Sequence, residues 1–345
     1  MIYFNCDYNE GAHEKVMEQL MLTNMEQTPG YGCDDYCRQA KELILKECDT
    51  KDAEVHFLVG GTQTNTTVIK SALRAHQGVI AADSGHINVH ESGAIESVGH
   101  KVLALPAEAG KLTAAQVENC YLAHISDDSH EHMVQPKMIY ISQPTELGTL
   151  YSLKELKDIS EVCNKYRLLL FVDGARLGYG LAAPGNDVTL ADLARLCDVF
   201  YIGGTKVGAL FGEAVVIINP LLKEDFRYII KQQGAMLAKG RLLGVQFQVL
   251  FKDGLYMEIS RHAIDMAEKL RTVLYDKKVA FYVENRTNQI FPVLPDAVLD
   301  VLRKNYGFEY QARIDETHSA IRICTSWATK ADSVEKLCQD LTNLL

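Results

Sequence analysis

The segment Leu168–Arg176, which reads LLLFVDGAR, decides the fold. Its first five residues form an uninterrupted apolar run, which is typical of a strand covered on both faces, as in a mostly parallel sheet. The run ends at Asp173, and ligands of open parallel sheets bind outside the carboxyl ends of the strands. The segment therefore predicts a buried strand, Leu168–Val172, that presents a carboxylate at the ligand-binding edge of such a sheet.

Short β-branched runs alternate with helical patterns on both sides of this segment. The runs predict strands at Val55–Val59, Val79–Ala82, Met138–Ser142, Val199–Ile202 and Ala214–Ile218, and helices at Thr62–Ala75, Thr113–Ile125, Ser152–Tyr166 and Leu190–Leu196. Thr113 is a suitable N-cap, and Ser152 with Glu155 has the spacing of a capping box. The connection Gly203–Glu213 is too short for a helical crossover, so we expect its two flanking strands to be antiparallel.

The last third of the chain has a different organisation. The pattern from Pro220 to about Leu274 is helical, and Glu258–Leu274 is its clearest segment. The remainder predicts a small sheet with helices, its strands at Ala280–Val283, Gln289–Val293, Glu309–Ile314 and Ile321–Cys324, and its helices near Pro295–Asn305 and Ala331–Leu345. We therefore expect a large α/β domain with an N-terminal arm over residues 1–250 and a small α+β domain over residues 251–345.

Composition excludes several classes of protein. The 45 acidic residues outnumber the 35 basic ones, which argues against nucleic acid or an anionic membrane as the main partner. No apolar run approaches the ~18 residues of a spanning helix, and no signal peptide is visible. The nine cysteines include no CxxC pair, so we expect reduced thiols. These features predict a cytoplasmic protein.

Two residues carry most of the chemical information. Asp173 ends one predicted strand, and Lys206 follows the next strand, Val199–Ile202, so both belong to the same sheet edge. A lysine there can form an imine with an aldehyde cofactor, and a carboxylate can keep a pyridine nitrogen protonated. A salt bridge between two loop residues is the alternative interpretation.

A second motif follows the strand Val55–Val59. There Gly60-Gly61-Thr62-Gln63 opens a predicted helix, and free backbone amides at a helix N-terminus bind phosphate. The motif is neither a Walker A loop nor GxGxxG. By itself it is weak support for a phosphate site.

Three further features of the sequence have more than one interpretation. Arg322 is a charge inside the apolar strand Ile321–Cys324, and its planar guanidinium suits a carboxylate of either a substrate or the protein. His86 follows the strand Val79–Ala82 and is suited either to stack on an aromatic cofactor or simply to form a hydrogen bond. Metal ligation by His86, His90 and Glu91, or by His130–His132, is disfavoured because Gly85 and Gly93 bracket the first cluster and the second lies in a polar loop. We predict no metal; a binding protein without enzymatic activity is a further alternative.

Together these motifs resemble the threonine aldolase and β-eliminating lyase family of pyridoxal-phosphate enzymes, which have the aspartate-aminotransferase-type fold. The matching pieces occur in the family's order over nearly the whole chain: Gly61-Thr62-Gln63 with Asn65, His86 with Glu91, Asp173–Arg176, the Lys206 turn, and Ile321-Arg322 with Thr325. The resemblance implies a mostly parallel seven-stranded sheet covered by helices, plus a small C-terminal domain. It also implies pyridoxal 5′-phosphate as the cofactor.

The resemblance further implies roles at the matching positions. Lys206 would bind the cofactor covalently, Asp173 would pair with its pyridine nitrogen, and His86 would stack on its ring and act as a base. Arg176 would bind near the 3′ oxygen, the phosphate would lie against Gly61, Thr62 and Gln63, and Arg322 would bind the substrate carboxylate. Tyr31 matches an aromatic residue that the family uses near the phosphate, often across a dimer interface.

Two departures from the family pattern affect the choice of substrate. Cys6, in Asn5-Cys6-Asp7-Tyr8, stands where the family has a substrate-contacting serine, and Glu146, in Pro144-Thr145-Glu146, stands where it has a histidine. We expect an aldolase that cleaves β-hydroxy-α-amino acids such as L-threonine and L-allo-threonine to glycine and acetaldehyde, with Glu146 or His86 as the base. A β-eliminating amino-acid lyase is the alternative. We also expect a homo-oligomer, a dimer or a dimer of dimers, since the family is usually tetrameric.

Overall fold

A seven-stranded sheet forms the centre of the computed structural model, which describes residues 1–345. With strands numbered along the chain, its spatial order is Glu54–Leu58 (β2), Glu213–Ile217 (β8), Val199–Gly203 (β7), Leu169–Asp173 (β6), Gln135–Ser142 (β5), Gln77–Ala82 (β3) and Val102–Leu105 (β4). All neighbouring strands are parallel except β8, which is antiparallel to both β2 and β7. The predicted mostly parallel sheet and its antiparallel pair are confirmed.

Two apolar cores cover the two faces of this sheet. On β6, Leu170 and Val172 belong to one core while Phe171 belongs to the other, because successive side chains of a strand point to opposite faces. This explains the continuous apolar run, since both faces of the strand are buried. Helices cover both faces: Glu14–Leu22 (α1), Asp35–Glu47 (α2), Gly61–Ala72 (α3), His86–Val89 (α4), Ala94–Ser97 (α5), Ala114–Ile125 (α6), Leu153–Tyr166 (α7), Leu177–Ala182 (α8), Leu190–Leu196 (α9), Pro220–Lys223 (α10), Phe226–Gln232 (α11), Arg241–Phe251 (α12) and Leu255–Asp276 (α13).

Side-chain caps fix the starts of the predicted helices. Thr113 and Gln116 form a capping box at α6, and Ser152 and Glu155 form one at α7, as their spacing predicts. The polar side chains satisfy backbone amides that have no partner inside the helix. Local sequence therefore decides where these helices begin.

The C-terminal part contains its own small sheet. Strand His318–Cys324 (β13) lies between Val293–Pro295 (β10) and Glu309–Arg313 (β12) and also pairs with Gln289–Ile290 (β9). Helices Asp296–Leu302 (α14) and Ala331–Leu344 (α15) complete it. Helix α13 contributes Leu255 to a core of the large sheet and Leu270 to the core of the small one. The two units therefore share this helix, and the domain boundary between residues 250 and 251 stays a prediction.

Several short elements differ from expectation. The predicted strand Ala280–Val283 is wrong, because that segment makes only the single bridge Phe281–Pro292. Helices α1 and α2 and strand β4 were not predicted. The N-terminal Ile2–Tyr3 (β1) pairs with Tyr306–Gly307 (β11), and the Cys324 amide donates to Phe4 O at 2.7 Å. These contacts attach the N-terminal arm to the small sheet.

No helix of the chain is both long and apolar enough to span a lipid bilayer. The longest, α13, carries charged residues along its length.

Candidate active site

A cavity of about 290 Å³ opens at the carboxyl edge of the large sheet. Seven of the eleven residues predicted for the site line it: Gly61, Thr62, His86, Glu146, Asp173, Arg176 and Lys206. They come from the ends of five strands and the loops that follow, where parallel sheets bind ligands. The fold therefore brings together residues that are up to 145 positions apart.

Asp173 ends β6 and is held by three donors. Its Oδ2 accepts hydrogen bonds from Tyr140 Oη at 2.5 Å and from Asn65 Nδ2 at 3.2 Å, and its Oδ1 accepts one from the Ala175 amide at 2.9 Å. Burial, and then the Asp173 charge, raise the pKa of Tyr140 well above its usual value, so its hydroxyl stays a donor. The carboxylate is thus buried with a fixed orientation.

Lys206 lies in the loop between β7 and β8, and its ammonium makes no hydrogen bond within the protein. Its Nζ lies 5.9 Å from the ring centre of Tyr8, above the ring. Desolvation, and then the charge of Arg176, lower the pKa of Lys206, although nearby acidic groups oppose the shift. A lysine with a lowered pKa is more often neutral, and a neutral amine is the nucleophile that carbonyl compounds require.

Arg176 is paired with the N-terminal arm. Its Nε and Nη2 donate to Asp7 Oδ2 and Oδ1 at 2.6 and 3.0 Å, and Asn288 Nδ2 also donates to Asp7 Oδ2, at 2.9 Å. Burial would raise the pKa of Asp7, but the charges of Arg176 and Lys206 outweigh burial and the pKa is lowered. The guanidinium of Arg176 therefore has a bidentate partner of its own.

The turn between β2 and α3 presents backbone groups to the cavity. Gly60 caps α3 without a side-chain hydrogen bond, and a Cβ on Gly60 would meet open space. A Cβ on Gly61 would lie 3.3 Å from the Tyr201 hydroxyl. Gln63 does not line the cavity; its Oε1 accepts a hydrogen bond from the Val59 amide at 3.2 Å and so braces the turn. The amides at the start of this twelve-residue helix remain free for an anion.

His86 and Glu146 lie next to each other in the wall of the cavity. His86 begins the one-turn helix α4, and its backbone amide donates to Glu146 Oε1 at 2.9 Å. Ser142 Oγ donates to the same oxygen at 2.7 Å. Desolvation raises the pKa of Glu146, which moves this carboxyl group toward the range of a general base.

Three predicted substrate-contacting residues lie outside the cavity lining. Arg322 Nη2 donates to Asn5 O at 3.1 Å, while its buried Nε has no partner. Cys6 is buried, with its Sγ 3.1 Å from Asn9 Oδ1. Tyr31 is 47% exposed on another surface, where Lys231 Nζ lies 5.0 Å from its ring centre. Within one chain, Tyr31 does not join the cavity.

Sequence reasoning missed Glu213 and Tyr8, which line the cavity, and Tyr140, which holds Asp173. Glu213 is opposite Gly203 in the register of β7 and β8, and its Oε2 accepts a hydrogen bond from the Gly204 amide at 3.1 Å. Burial raises the pKa of Glu213 to about 8. An acidic residue at the start of the apolar run Ala214–Ile218 is unusual, and this signal could have identified it.

The two histidine clusters considered for metal ligation take different positions. His86 joins the cavity, whereas His130–His132 form a 3₁₀ turn without a buried residue. The chain holds no group of three or more His, Cys, Asp or Glu side chains arranged around a common point as metal ligands would be.

Comparison with known proteins identifies the family. The family model described as beta-eliminating lyase matches residues 9–297. The chain belongs to the beta-eliminating lyase family. The matched range includes Asp173 and Lys206, whereas Asp7 and Arg322 lie outside it.

Individual relatives in and around the beta-eliminating lyase family agree with this placement. A low specificity L-threonine aldolase from Pseudomonas sp. is 32% identical over 98% of this chain and 96% of its own. A solved structure of threonine aldolase from Leishmania major is 43% identical, with a TM-score of 0.97 over 100% of this chain and 99% of its own. An aspartate aminotransferase mutant from Thermus thermophilus, at 12% identity and a TM-score of 0.72 over 100% of this chain and 92% of its own, shares the fold. The predicted family and fold are confirmed.

Proposed function

We propose that this protein is a pyridoxal-phosphate-dependent aldolase that cleaves β-hydroxy-α-amino acids, such as L-threonine and L-allo-threonine, to glycine and acetaldehyde. The observation that carries the proposal is the juxtaposition of Lys206, whose ammonium is unpaired, with the firmly held Asp173 in one cavity. The similarity to threonine aldolases from Pseudomonas sp. and Leishmania major supports the same reaction.

The residues present fit pyridoxal phosphate. Lys206 has a free amine for its aldehyde, Asp173 has a fixed carboxylate for its pyridine nitrogen, and the uncapped start of α3 has amides for its phosphate. His86 is available to stack on the ring, and Arg176 to bind near the 3′ oxygen. When bound, the cofactor supplies an electron-accepting ring for the charge that bond cleavage leaves on Cα.

Arg322 is the candidate for binding the substrate carboxylate. Its buried Nε has no partner and its Nη2 donates only to a backbone carbonyl, so no protein carboxylate neutralises it. A partly buried guanidinium without an acidic partner is unfavourable, and a carboxylate accepts two parallel hydrogen bonds from its fork. Arg322 would then fix the orientation of the substrate.

Proton removal is assigned to Glu146 or His86, which lie side by side. The base accepts the β-hydroxyl proton as the Cα–Cβ bond breaks; the oxygen becomes the carbonyl of acetaldehyde, and a proton delivered to Cα completes glycine. Asp173 would hold the pyridine nitrogen of the bound cofactor in its protonated form. A carboxyl group with a raised pKa, such as Glu146, is suited to take and return a proton.

Glu146 also favours a second candidate, a β-eliminating amino-acid lyase. The family's aldolase pattern has a histidine where this chain has Glu146, and in the structure this carboxyl group lies in the wall of the reaction cavity. In β-elimination, a base removes the Cα proton and the β-substituent leaves. The same residues would bind cofactor and carboxylate, so only the products distinguish the two reactions.

The test is product analysis with the purified holoenzyme. L-threonine and L-allo-threonine should yield glycine and acetaldehyde in equal amounts, and the protein should show the visible absorbance of the bound cofactor. Release of 2-oxobutyrate and ammonia instead would favour elimination. Absence of both product pairs, with no visible absorbance, would refute the proposal.

A homo-oligomer is part of the proposal. Tyr31, matched to an aromatic residue used near the phosphate, is exposed and separate from the cavity of its own chain. A second copy of the chain would have to bring Tyr31 to the site, and obligate interfaces of this kind bury more than about 2,000 Å². Sedimentation should therefore show a dimer or a dimer of dimers, and a fully active monomer would contradict this.

We also propose a cytoplasmic location. All nine cysteines are free thiols, including the exposed Cys33. Reduced thiols are typical of proteins from reducing compartments. Fractionation of cells that express the native protein tests this.

A further inference from the structure

A hydrogen-bonded chain of buried side chains lies behind His86. The side chain of Glu91 is completely buried, and its Oε1 accepts hydrogen bonds from His86 Nδ1 at 2.8 Å and from Asn65 Nδ2 at 2.7 Å. Asn65 Nδ2 also donates to Asp173 Oδ2 at 3.2 Å. The chain thus runs from the imidazole through Glu91 and Asn65 to the carboxylate at the end of β6.

The hydrogen-bonding capacity of these groups determines which ring nitrogen of His86 carries the proton. The amide nitrogen of Asn65 can only donate, so Glu91 Oε1 is an acceptor in this cluster. With Glu91 as a carboxylate, which only accepts hydrogen bonds, Nδ1 of His86 supplies the hydrogen of its own bond to the same oxygen. A neutral imidazole carries one proton, so Nε2 of His86 is left with a free lone pair.

The environment of Nε2 leaves that lone pair accessible from the cavity. Nδ1 makes the hydrogen bond to buried Glu91, whereas Nε2 makes none within the protein, and His86 lines the cavity with 35% of its side chain exposed. Two titratable groups besides Glu91 contact His86: Glu146, which accepts from its backbone amide, and His90, whose ring centre lies 5.7 Å away. Neither of them bonds to the imidazole nitrogens.

The cluster is poorly built for stability alone. Glu91 Oε2 and Asn65 Oδ1 are both buried without a hydrogen-bond partner. Buried polar atoms are nearly always satisfied, and an unsatisfied one lowers stability, so a purely structural network would pair them. Retention of two unpaired oxygens directly behind a cavity residue indicates a role in the reaction.

We propose that Glu91 is a positioning residue, which holds His86 in the tautomer with hydrogen on Nδ1 so that Nε2 faces the substrate as a proton acceptor. Asn65 holds Glu91 and couples its position to Asp173. The kinetic consequence rests on the proposed function, whereas the tautomer itself does not. A carboxylate that orients a histidine in this way has the role of the aspartate in a Ser-His-Asp triad.

The test measures the two ring nitrogens of His86 by ¹⁵N NMR in the holoenzyme, with a His86→Asn variant to assign the signals. In the unmodified protein, Nδ1 should be the protonated nitrogen of His86. Glu91→Leu removes the acceptor and should give a mixture of tautomers, while Glu91→Gln keeps an accepting oxygen and should retain the Nδ1–H form. The exposed pair His318–Asp315, which also uses Nδ1, supplies the control Asp315→Asn.

Kinetics provide the second measurement. With the visible absorbance of the cofactor retained, Glu91→Leu should lower kcat/KM about 10- to 100-fold, by analogy with the loss of partners that orient metal-ligating histidines. Glu91→Gln should recover most of that loss, and Asp315→Asn should match the unmodified protein.

Two outcomes would overturn the inference. One is a wild-type His86 protonated on Nε2 alone, which can be read even if Glu91→Leu fails to fold. The other is a Glu91→Leu variant that keeps both the tautomer and kcat/KM. If the protein cleaves no β-hydroxy amino acid at all, the proposed function fails, while the NMR result still decides the tautomer.

Discussion

Two arginines predicted for the site lie in two regions of the molecule, and their surroundings differ. Arg176 follows β6 of the large sheet, and both carboxylate oxygens of Asp7 accept hydrogen bonds from it. Arg322 lies on β13 of the small sheet, has only the Asn5 carbonyl as partner and leaves its Nε unpaired. The first is a completed ion pair, and the second still requires an anion.

The N-terminal arm explains the difference. Asn5 and Asp7 are two residues apart on one segment, which is attached to the small sheet by the Cys324 amide donating to Phe4 O, so a single segment serves both arginines. It gives a side-chain carboxylate to Arg176 and only a backbone carbonyl to Arg322. Loss of the Arg176–Asp7 pair should therefore lower the stability of the protein, whereas replacement of Arg322 should weaken substrate binding.

The largest effect is expected at Lys206, which belongs to the large-sheet region and takes no part in the Arg176–Asp7 ion pair. Lys206→Ala should abolish the visible absorbance of the bound cofactor and lower kcat at least about 1,000-fold, because the covalent attachment is lost. Lys137→Ala, near the amino end of strand β5 and so away from the carboxyl ends that form the site, serves as the control. Borohydride reduction that attaches the cofactor to a peptide without residue 206 would contradict the assignment.

The completed ion pair is tested by Asp7→Asn. It leaves Arg176 buried without a countercharge and should lower the free energy of unfolding by about 3–5 kcal/mol. The exposed Asp35–Arg38 pair offers the control Asp35→Asn, expected to change stability by at most about 0.5 kcal/mol. Denaturant unfolding measures both, and equal effects would remove the distinction between the buried and exposed pairs.

The same pair predicts a pH dependence of stability. The pKa of Asp7 is lowered in the folded protein, so its contribution is fully present above the unfolded value of about 4 and is lost as pH falls through the native pKa. Asp7→Asn should therefore show a weaker loss of stability on acidification below about pH 4. If the free energy of unfolding of the two proteins falls by the same amount on acidification, Asp7 does not have this role.

The open arginine is tested by Arg322→Lys. This variant keeps the charge but loses the parallel hydrogen bonds. The transition-state stabilisation measured by kcat/KM for β-hydroxy amino acids should therefore fall by about 2–4 kcal/mol, while the visible absorbance persists. Arg313→Lys, on the adjacent strand β12, should leave the kinetics unchanged. Unaltered kinetics in Arg322→Lys would make Arg322 a structural residue and would end the contrast with Arg176.

The smallest effect is expected far from both arginines. Ser152→Ala removes the capping box of α7 and should lower the free energy of unfolding by about 1 kcal/mol with no change in KM. Thermal unfolding and steady-state kinetics check the two parts. A change in KM would mean that the scaffold and the site are coupled through α7.

The amount that could be predicted from sequence differs between local and long-range features. The bounds of α9, the capping boxes of α6 and α7 and the apolar run of β6 follow from neighbouring residues, and these predictions are confirmed. The segment Ala280–Val283 has strand composition, but it lacks a partner strand along its length and forms one bridge only. Strand formation depends on pairing, which composition does not specify.

By itself, the sequence determined the mostly parallel sheet, the carboxyl ends of its strands other than β4 and the order of the motifs, because apolar periodicity and capping act over a few residues. It also identified Asp173 and Lys206, since strand ends of such a sheet meet at one edge. Only the tertiary structure decided that Arg176 is paired with Asp7, that Arg322 is not paired with a carboxylate, and that Glu91 and Asn65 join His86 to Asp173. The Arg176–Asp7 contact spans 169 positions and the Arg322–Asn5 contact 317, and their geometry arises when the arm, the sheet and the small domain pack together.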